Sequence, residues 1–353
     1  MSPSGQTATA LAKRVGVDAL EAVCARFSLG TVRDARYLPD GLMNQNWRVT
    51  TRRGTFAVKQ IHDGTLEQAR RNLRVVAELA AAGVAVPAPL LADGDAVAEI
   101  GEYGYCATPW IPGDHLAGTD LINNQARHLG HTLGTVHLSL ARIGSDLLSP
   151  APTGLPGKVT SAAAACAEAE RYRRLAASQE GGSSAFDDEV VGWLDQRIAL
   201  INAHVGDEPK DDCALAPVGW THGDFQHRNL LWAAGHVAAV LDWDKLRVRT
   251  LGEEIARTAT LQFGGERGWL DLTKVAQFTA GYRDTLPISD EALADAVYRL
   301  WWKRLTDFWQ LDFHYNRHDY SCDHLFFSGE RFLHWWTPRR DDVVSTFVQA
   351  RVA

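Results

Sequence analysis

Trp220 to Arg249 reads WTHGDFQHRNLLWAAGHVAAVLDWDKLRVR, and the rest of the chain is understood from this stretch. Two apolar runs, Leu230-Leu231-Trp232 and Val237 to Leu241, have strand character, and Ala234-Gly235 marks a turn between them. If the runs pair, Asn229 and Asp242 emerge near one another at the open end of the hairpin. Asp224 lies on the loop leading in. Two carboxylates and an amide in that arrangement suit a divalent cation and a phosphate. Mg²⁺ takes oxygen ligands, usually one or two from the protein and others from substrate phosphates. A further carboxylate can accept the proton of a hydroxyl nucleophile.

Composition sets the frame. At 353 residues the chain can form two lobes or one large domain. With 46% hydrophobic and 22% charged residues it reads as an ordinary soluble globular protein. A net charge of −7 disfavours a nucleic-acid partner and tolerates a cationic substrate. Five cysteines (Cys24, Cys106, Cys166, Cys213, Cys322) are scattered without C-x-x-C spacing, which favours a reducing compartment and gives no zinc site. The first residues show no signal pattern, and no apolar run approaches the roughly 18 residues that a membrane span needs. A cytoplasmic protein without a membrane partner is expected, as a monomer or dimer.

Upstream, the period of the sequence changes. A helix is expected from about Asp18 to Phe27, with nothing in it that suggests chemistry. Tyr37-Leu38, Trp47 to Thr50 and Phe56 to Ile61 read as strands, separated by the polar run Pro39 to Asn46 and by Arg52 to Thr55. Lys59 lies inside an apolar strand, and partial burial there calls for an anion. The alternative is an edge-strand lysine facing solvent. Thr65 to Ala82 is a helix with Thr65 as N-cap and Gly83 as its stop, and Asn72, Val75, Val76 and Leu79 share one face. Val84 to Leu91 is a proline-bearing turn into a strand, and Tyr103 to Pro109 is another strand.

Further helices are expected from about Asn123 to Ile143, through Val190, Leu194, Ile198 and Ile201, from Gly252, and from Asp290 to Leu311. His128, His131 and His137 lack HExxH spacing and read as solvated or capped. Residues 146–185 read as a mobile insertion with a helical middle, and Arg247 and Arg249 as surface charges first, with contact to phosphate or substrate as the alternative.

H-G-D-x-x-x-x-N followed by an apolar strand and an aspartate resembles the aminoglycoside phosphotransferase and choline kinase superfamily, relatives of the protein kinases. The resemblance covers roughly residues 37–260. It implies an α+β, bilobal protein-kinase-like fold: a small antiparallel-sheet N-lobe over residues 1–112, ending in a hinge, and a large mainly helical C-lobe over 113–353. Asp224 would be catalytic, Asn229 and Asp242 would hold Mg²⁺, and His222 would hold the loop from inside. Lys59 and the loop with Asn44 and Asn46 would take the phosphates of ATP or GTP. The Pro109 carbonyl and Ile111 N–H would face the base, and Glu254 would buttress the catalytic loop.

One departure stands out: Asn72 occupies the place where a glutamate partner for the strand lysine is expected. The C-terminal helices would wall the pocket of a small hydroxylated substrate. Asp307, Asp312, Asp319, Asp323 and Glu330 are candidates to meet ammonium groups and Trp301, Trp302, Trp309, Trp335 and Trp336 to stack on rings, although each aromatic taken singly reads as core and only a subset is expected to line the pocket. An antibiotic or secondary metabolite is the substrate expected first. A sugar, choline or homoserine type of housekeeping kinase comes second, and a non-catalytic nucleotide-binding pseudokinase is the remaining alternative.

Overall fold

Alternation of buried and exposed side chains builds a five-stranded sheet in the first part of the chain. The computed structural model describes residues 17–39, 44–156, 159–178, 184–210, 217–264 and 267–350. Residues 40–43, in the loop expected to meet phosphates, lie outside them. The strands are β1 (Val32–Leu38), β2 (Gln45–Thr51), β3 (Thr55–Ile61), β4 (Ala98–Ile100) and β5 (Tyr103–Pro109), in antiparallel order β1-β2-β3-β5-β4.

Trp47, Val58 and Ala107 are cross-strand partners on one face. They form one buried cluster with Leu20, Val23 and Cys24 of α1 (Val17–Arg26) and with Phe27 just beyond it. The N-terminal helix that carries no chemistry is therefore the cover of the sheet. α2 (Leu66–Ala81) is capped by Thr65, whose side chain accepts from the Gln68 N–H, and Gly83 follows it at φ 81°. Its buried residues are Asn72, Val75, Val76 and Leu79, in the expected phase. Val84 to Leu91 forms no strand; only Leu90 reaches the sheet, through its N–H to the Ala107 carbonyl.

The chain divides into two compact units, residues 1–112 and 113–353. In the second, α3 (Asn123–Leu140) ends three residues before the expected stop. α4 (Ala162–Ala177) and α5 (Ala185–Ala203) pack on one another. The helical middle expected in residues 146–185 is α4, and Ala162, Ala165, Ala169, Tyr172 and Ala176 form its buried face. Four short strands follow, β6 (Val218–Thr221), β7 (Leu230–Ala233), β8 (His236–Val240) and β9 (Arg247–Thr250). Then come α6 (Leu251–Gly264), α7 (Leu272–Arg283) and α8 (Asp290–Thr306). A single turn, α9 (Trp309–Leu311), runs into a π turn over Asp312–Asn316, followed by α10 (Asp323–Trp336) and α11 (Arg340–Gln349).

α3 and α7 meet through glycines: a Cβ on Gly130 would stand 1.8 Å from the Phe278 carbonyl oxygen, and one on Gly281 would stand 1.9 Å from that of Arg127. The expected single helix from Asp290 to Leu311 breaks at Asp307, which is extended and accepts from the Trp309 N–H at 3.1 Å. Among the described residues no helix is long and apolar enough to cross a membrane.

Candidate active site

The hairpin reading holds at the level of single hydrogen bonds. β7 and β8 pair antiparallel, and the turn residues Ala234 and Gly235 both take positive φ, 48° and 81°. β6 and β9 pair as a second ribbon, with Thr221 opposite Arg247. The loop after β6 and the loop before β9 are thus held at one place by two ribbons. The Leu241 N–H continues the ladder to the Asn229 carbonyl at 2.8 Å, so Asn229 stands beside Asp242.

Asp224 is the meeting point. The Asn229 Nδ2 donates to its carbonyl at 2.8 Å and to its Oδ2 at 3.0 Å, and the Gln226 Nε2 donates to Oδ2 at 2.7 Å. The Arg257 Nη2 donates to Oδ1 at 2.9 Å. With its amide nitrogen engaged, Asn229 has its Oδ1 left to accept or to ligate. Asp242 adopts the left-handed conformation, φ 59° and ψ 73°. An amide oxygen and a carboxylate are hard donors of the type Mg²⁺ prefers. Among the described residues no group of three or more His, Cys, Asp or Glu side chains is placed to hold a metal ion. An ion held by these two donors would have to share its coordination with phosphates.

The loop is held from beneath by side chains that bind its backbone. His222 is fully buried; its Nδ1 accepts from the Asp224 N–H at 3.2 Å and its Nε2 donates to the Leu241 carbonyl at 2.9 Å. One neutral tautomer satisfies both bonds and ties the Asp224 loop to the Asp242 loop. Glu254 on α6 accepts from the backbone N–H groups of His222 and Gly223 and from His137 Nε2. Burial alone would raise this carboxyl, but the hydrogen bonds from His137 and the Gly223 amide bring it below the ordinary glutamate value. His137 in turn meets the Tyr282 hydroxyl at 2.9 Å. Gly223 is required: its φ is +83°, and a Cβ there would stand 2.1 Å from the Lys245 carbonyl oxygen.

In the first unit, Lys59 lies in the central strand, paired with Asn46 on one side and Cys106 on the other. That removes the edge-strand alternative. Asn44 is buried and its Oδ1 accepts from the backbone N–H of His62 at 2.7 Å and of Asp63 at 3.1 Å. Its amide oxygen therefore fixes the exit of β3. The Asn46 Nδ2 donates to the Asn44 carbonyl at 3.4 Å. Pro109 closes β5 opposite Phe56, the Trp110 N–H donates to the Thr55 carbonyl, and Ile111 follows beyond the strand.

Two expectations about polar side chains are corrected. Glu330 is fully buried in an ion pair with Arg197, so it is not available to a substrate ammonium. Asp312 pairs with Arg317 and Asn316, and Asp323 with His314, whereas Trp301, Trp302 and Trp336 are core residues, as each aromatic taken singly was expected to be. Arg249 is ion-paired with Glu253 and partly buried, so the surface reading fails for it. Gln226, Arg257, His137 and Tyr282 were not anticipated as members of the site. Arg257 was within reach of sequence reasoning, because it stands three residues after Glu254 and so shares its helix face. His137 was too, as the one imidazole inside the stripe Leu133, Val136, Leu140.

Residues 34–288 match the model of the phosphotransferase enzyme family. The chain belongs to that family. Among its relatives, a homoserine kinase of Pseudomonas aeruginosa is 24% identical over 295 residues, covering 81% of this chain and 85% of the relative. A spectinomycin phosphotransferase solved with ADP and spectinomycin superposes with a TM-score of 0.63 at 13% identity, covering 96% of this chain and 99% of the other. A choline kinase from Cryptosporidium parvum gives a TM-score of 0.55 at 11% identity, over 95% and 99% of the two chains. The fold is protein-kinase-like and α+β, as the motif implied, and the chain is a small-molecule phosphotransferase with a hydroxyl acceptor.

Proposed function

We propose that this family member transfers the terminal phosphoryl group of ATP or GTP to a hydroxyl of a small polar metabolite, with Mg²⁺ as cofactor. Asp224 orients the acceptor and takes its proton while the new O–P bond forms and the nucleoside diphosphate leaves with the electrons of the broken P–O bond. Asn229 and Asp242 would hold Mg²⁺, whose chemistry is to neutralise phosphate charge. Lys59 would pair with the donor phosphates, Asn46 and the backbone beside Asn44 would line their loop, and the Pro109 carbonyl and Ile111 N–H would meet the base. The observation that carries this reading is the carboxylate of Asp224, bonded through Asn229 to the strand that leads to Asp242, on a loop whose backbone Glu254 locks. Phosphoryl transfer depends on such fixed placement more than on unusual acidity.

A polycationic antibiotic is the weaker of the two substrate readings, because Glu330, Asp312 and Asp323 are engaged within the protein. A metabolite kinase is supported by the same fact. The test is Mg²⁺-nucleotide turnover across a broad panel of hydroxylated compounds. Asp224→Ala should lower kcat by roughly 10²–10⁴-fold, the usual contribution of a positioned base, with nucleotide binding retained. Nucleotide binding without turnover of any compound would favour a regulatory pseudokinase, and equal turnover by the variant would sink the assigned role.

A further inference from the structure

The charges around Asp224 bear on what the acceptor carries beside its hydroxyl. Oδ2 of Asp224 faces Asn229 and Gln226, whereas Oδ1 faces Arg257. Arg257 gives Nη2 to Asp224, but its Nη1 is buried and has no hydrogen-bond partner. One turn further along α6, Thr260 receives Nη2 of Arg304 from α8 at 3.3 Å, and the Nε of Arg304 is likewise buried and unpartnered. Among the described residues no carboxylate forms an ion pair with Arg304. Burial, and then the charge of Arg257, pulls its guanidinium down to about 10, with the charge of Asp307 offsetting only part of the shift. Arg247 adds a third cation, its Nη2 3.5 Å from the Gly223 carbonyl.

Like charges held together with unused donors in a low dielectric cost free energy unless an anion joins them. The guanidinium fork matches carboxylate and phosphate geometry. We propose that the acceptor carries an anionic group, a carboxylate or a phosphate, that binds Arg257 and Arg304 while the hydroxyl faces Asp224. This rests on the phosphotransferase reading above and gives it a substrate class. The donor's terminal phosphate is the competing anion. It belongs on the Asn229 side of Asp224, whereas Arg304 lies along α6 from the Oδ1 side.

The experiment uses acceptor pairs that differ in the anionic group: glycerate against glycerol, glycerol 3-phosphate against glycerol, gluconate against sorbitol, and homoserine against 3-aminopropanol. ADP release from Mg²⁺-ATP is measured, together with the shift in melting temperature that each compound gives. The anionic member of the accepted pair should show at least about tenfold higher kcat/KM, the scale of one charge-assisted contact. Arg304→Gln should raise the acceptor KM by about tenfold or more with the ATP KM within about twofold, and Arg304→Lys should recover part of the loss. Preference for the neutral or cationic member overturns the proposal. So does an Arg304→Gln effect confined to the ATP KM, which would assign the arginines to the donor. Absence of turnover and of any shift with every anionic compound, in a protein that binds Mg²⁺-ATP, overturns it too. Failure to bind Mg²⁺-ATP at all would instead remove the phosphotransferase reading, and this inference with it.

Discussion

The catalytic ribbons from Thr221 to Arg247 and the helical wall from Trp301 to Trp336 are both crowded with polar groups, and they use them in opposite ways. Around the ribbons, side chains bind backbone: His222 holds the Asp224 N–H and the Leu241 carbonyl, Glu254 holds two amides, and Thr258 holds the Phe225 carbonyl at 3.1 Å. In the wall, side chains bind side chains across long stretches of chain. Arg197 meets Glu330 over 133 residues, and the Tyr315 hydroxyl donates to Asp187 over 128 residues at 2.7 Å. The first pattern fixes the shape of a loop, and the second fixes how helices sit against one another. Substitutions in the ribbons should therefore remove activity together with stability, whereas those in the wall should remove stability first.

The largest combined loss of stability and activity is expected at Glu254. Glu254→Ala leaves the His222 and Gly223 amides and His137 without their acceptor inside the core. Breaking a buried charged network costs about 3–5 kcal/mol. In the molecules that remain folded, displacement of the loop should cost kcat roughly 10²-fold. Denaturant melts and single-turnover kinetics check both. The sign of the pH dependence follows from the lowered Glu254 carboxyl. A depressed acid contributes stability above its unfolded value, about 4.3, that is lost as pH falls through the folded value. The advantage of the wild type over Glu254→Gln should be full at neutral pH and shrink below about pH 4. A gap independent of pH between 3 and 7 would show that shape, not charge, is what Glu254 supplies.

Arg197→Met comes next. The arginine also donates to the carbonyls of Arg304 and Leu305 at 2.8 and 3.0 Å, near the end of α8. Its removal leaves Glu330 buried and unpaired, a loss of about 3–5 kcal/mol, while Arg197→Met with Glu330→Met should recover most of it. Turnover per folded molecule should stay within about twofold in the double variant, in contrast to Glu254→Ala. A kcat loss in the double variant as large as that of Glu254→Ala would erase the distinction between the two regions.

The same contrast explains what could be read from the sequence. The Glu254 buttress was legible only through the family resemblance, but the hairpin and the Asp224 to Asn229 spacing lie within a short run of consecutive residues, where strand period and turn chemistry act locally. Lys59 and the buried phase of Asn72 were legible for the same reason. In α5 the helical phase was right, but Arg197 takes the inward place assigned to Ile198, because its partner lies on α10. The face of α4 is built from alanine and tyrosine, so the helix is legible but the little hydrophobic contrast hides its packing against α5. The break at Asp307 has no proline or glycine to announce it; the aspartate caps the next turn instead.

The smallest effect should come from the far end of the buried chain of hydrogen bonds. Tyr282 is buried, which pushes its hydroxyl well above the ordinary tyrosine value and keeps its proton available to the His137 Nδ1. His137 Nε2–H can then donate to Glu254. Tyr282→Phe removes one neutral hydrogen bond and no charge, a cost of about 1 kcal/mol. The backbone acceptors and donors of the Asp224 loop keep their partners, so kcat should fall by less than about twofold. Thermal denaturation and steady-state kinetics on the same preparation separate the two readouts. A kcat loss approaching that of Glu254→Ala would mean that Tyr282, His137 and Glu254 hold the loop as one unit, and the boundary of the catalytic region would then have to be drawn at α7.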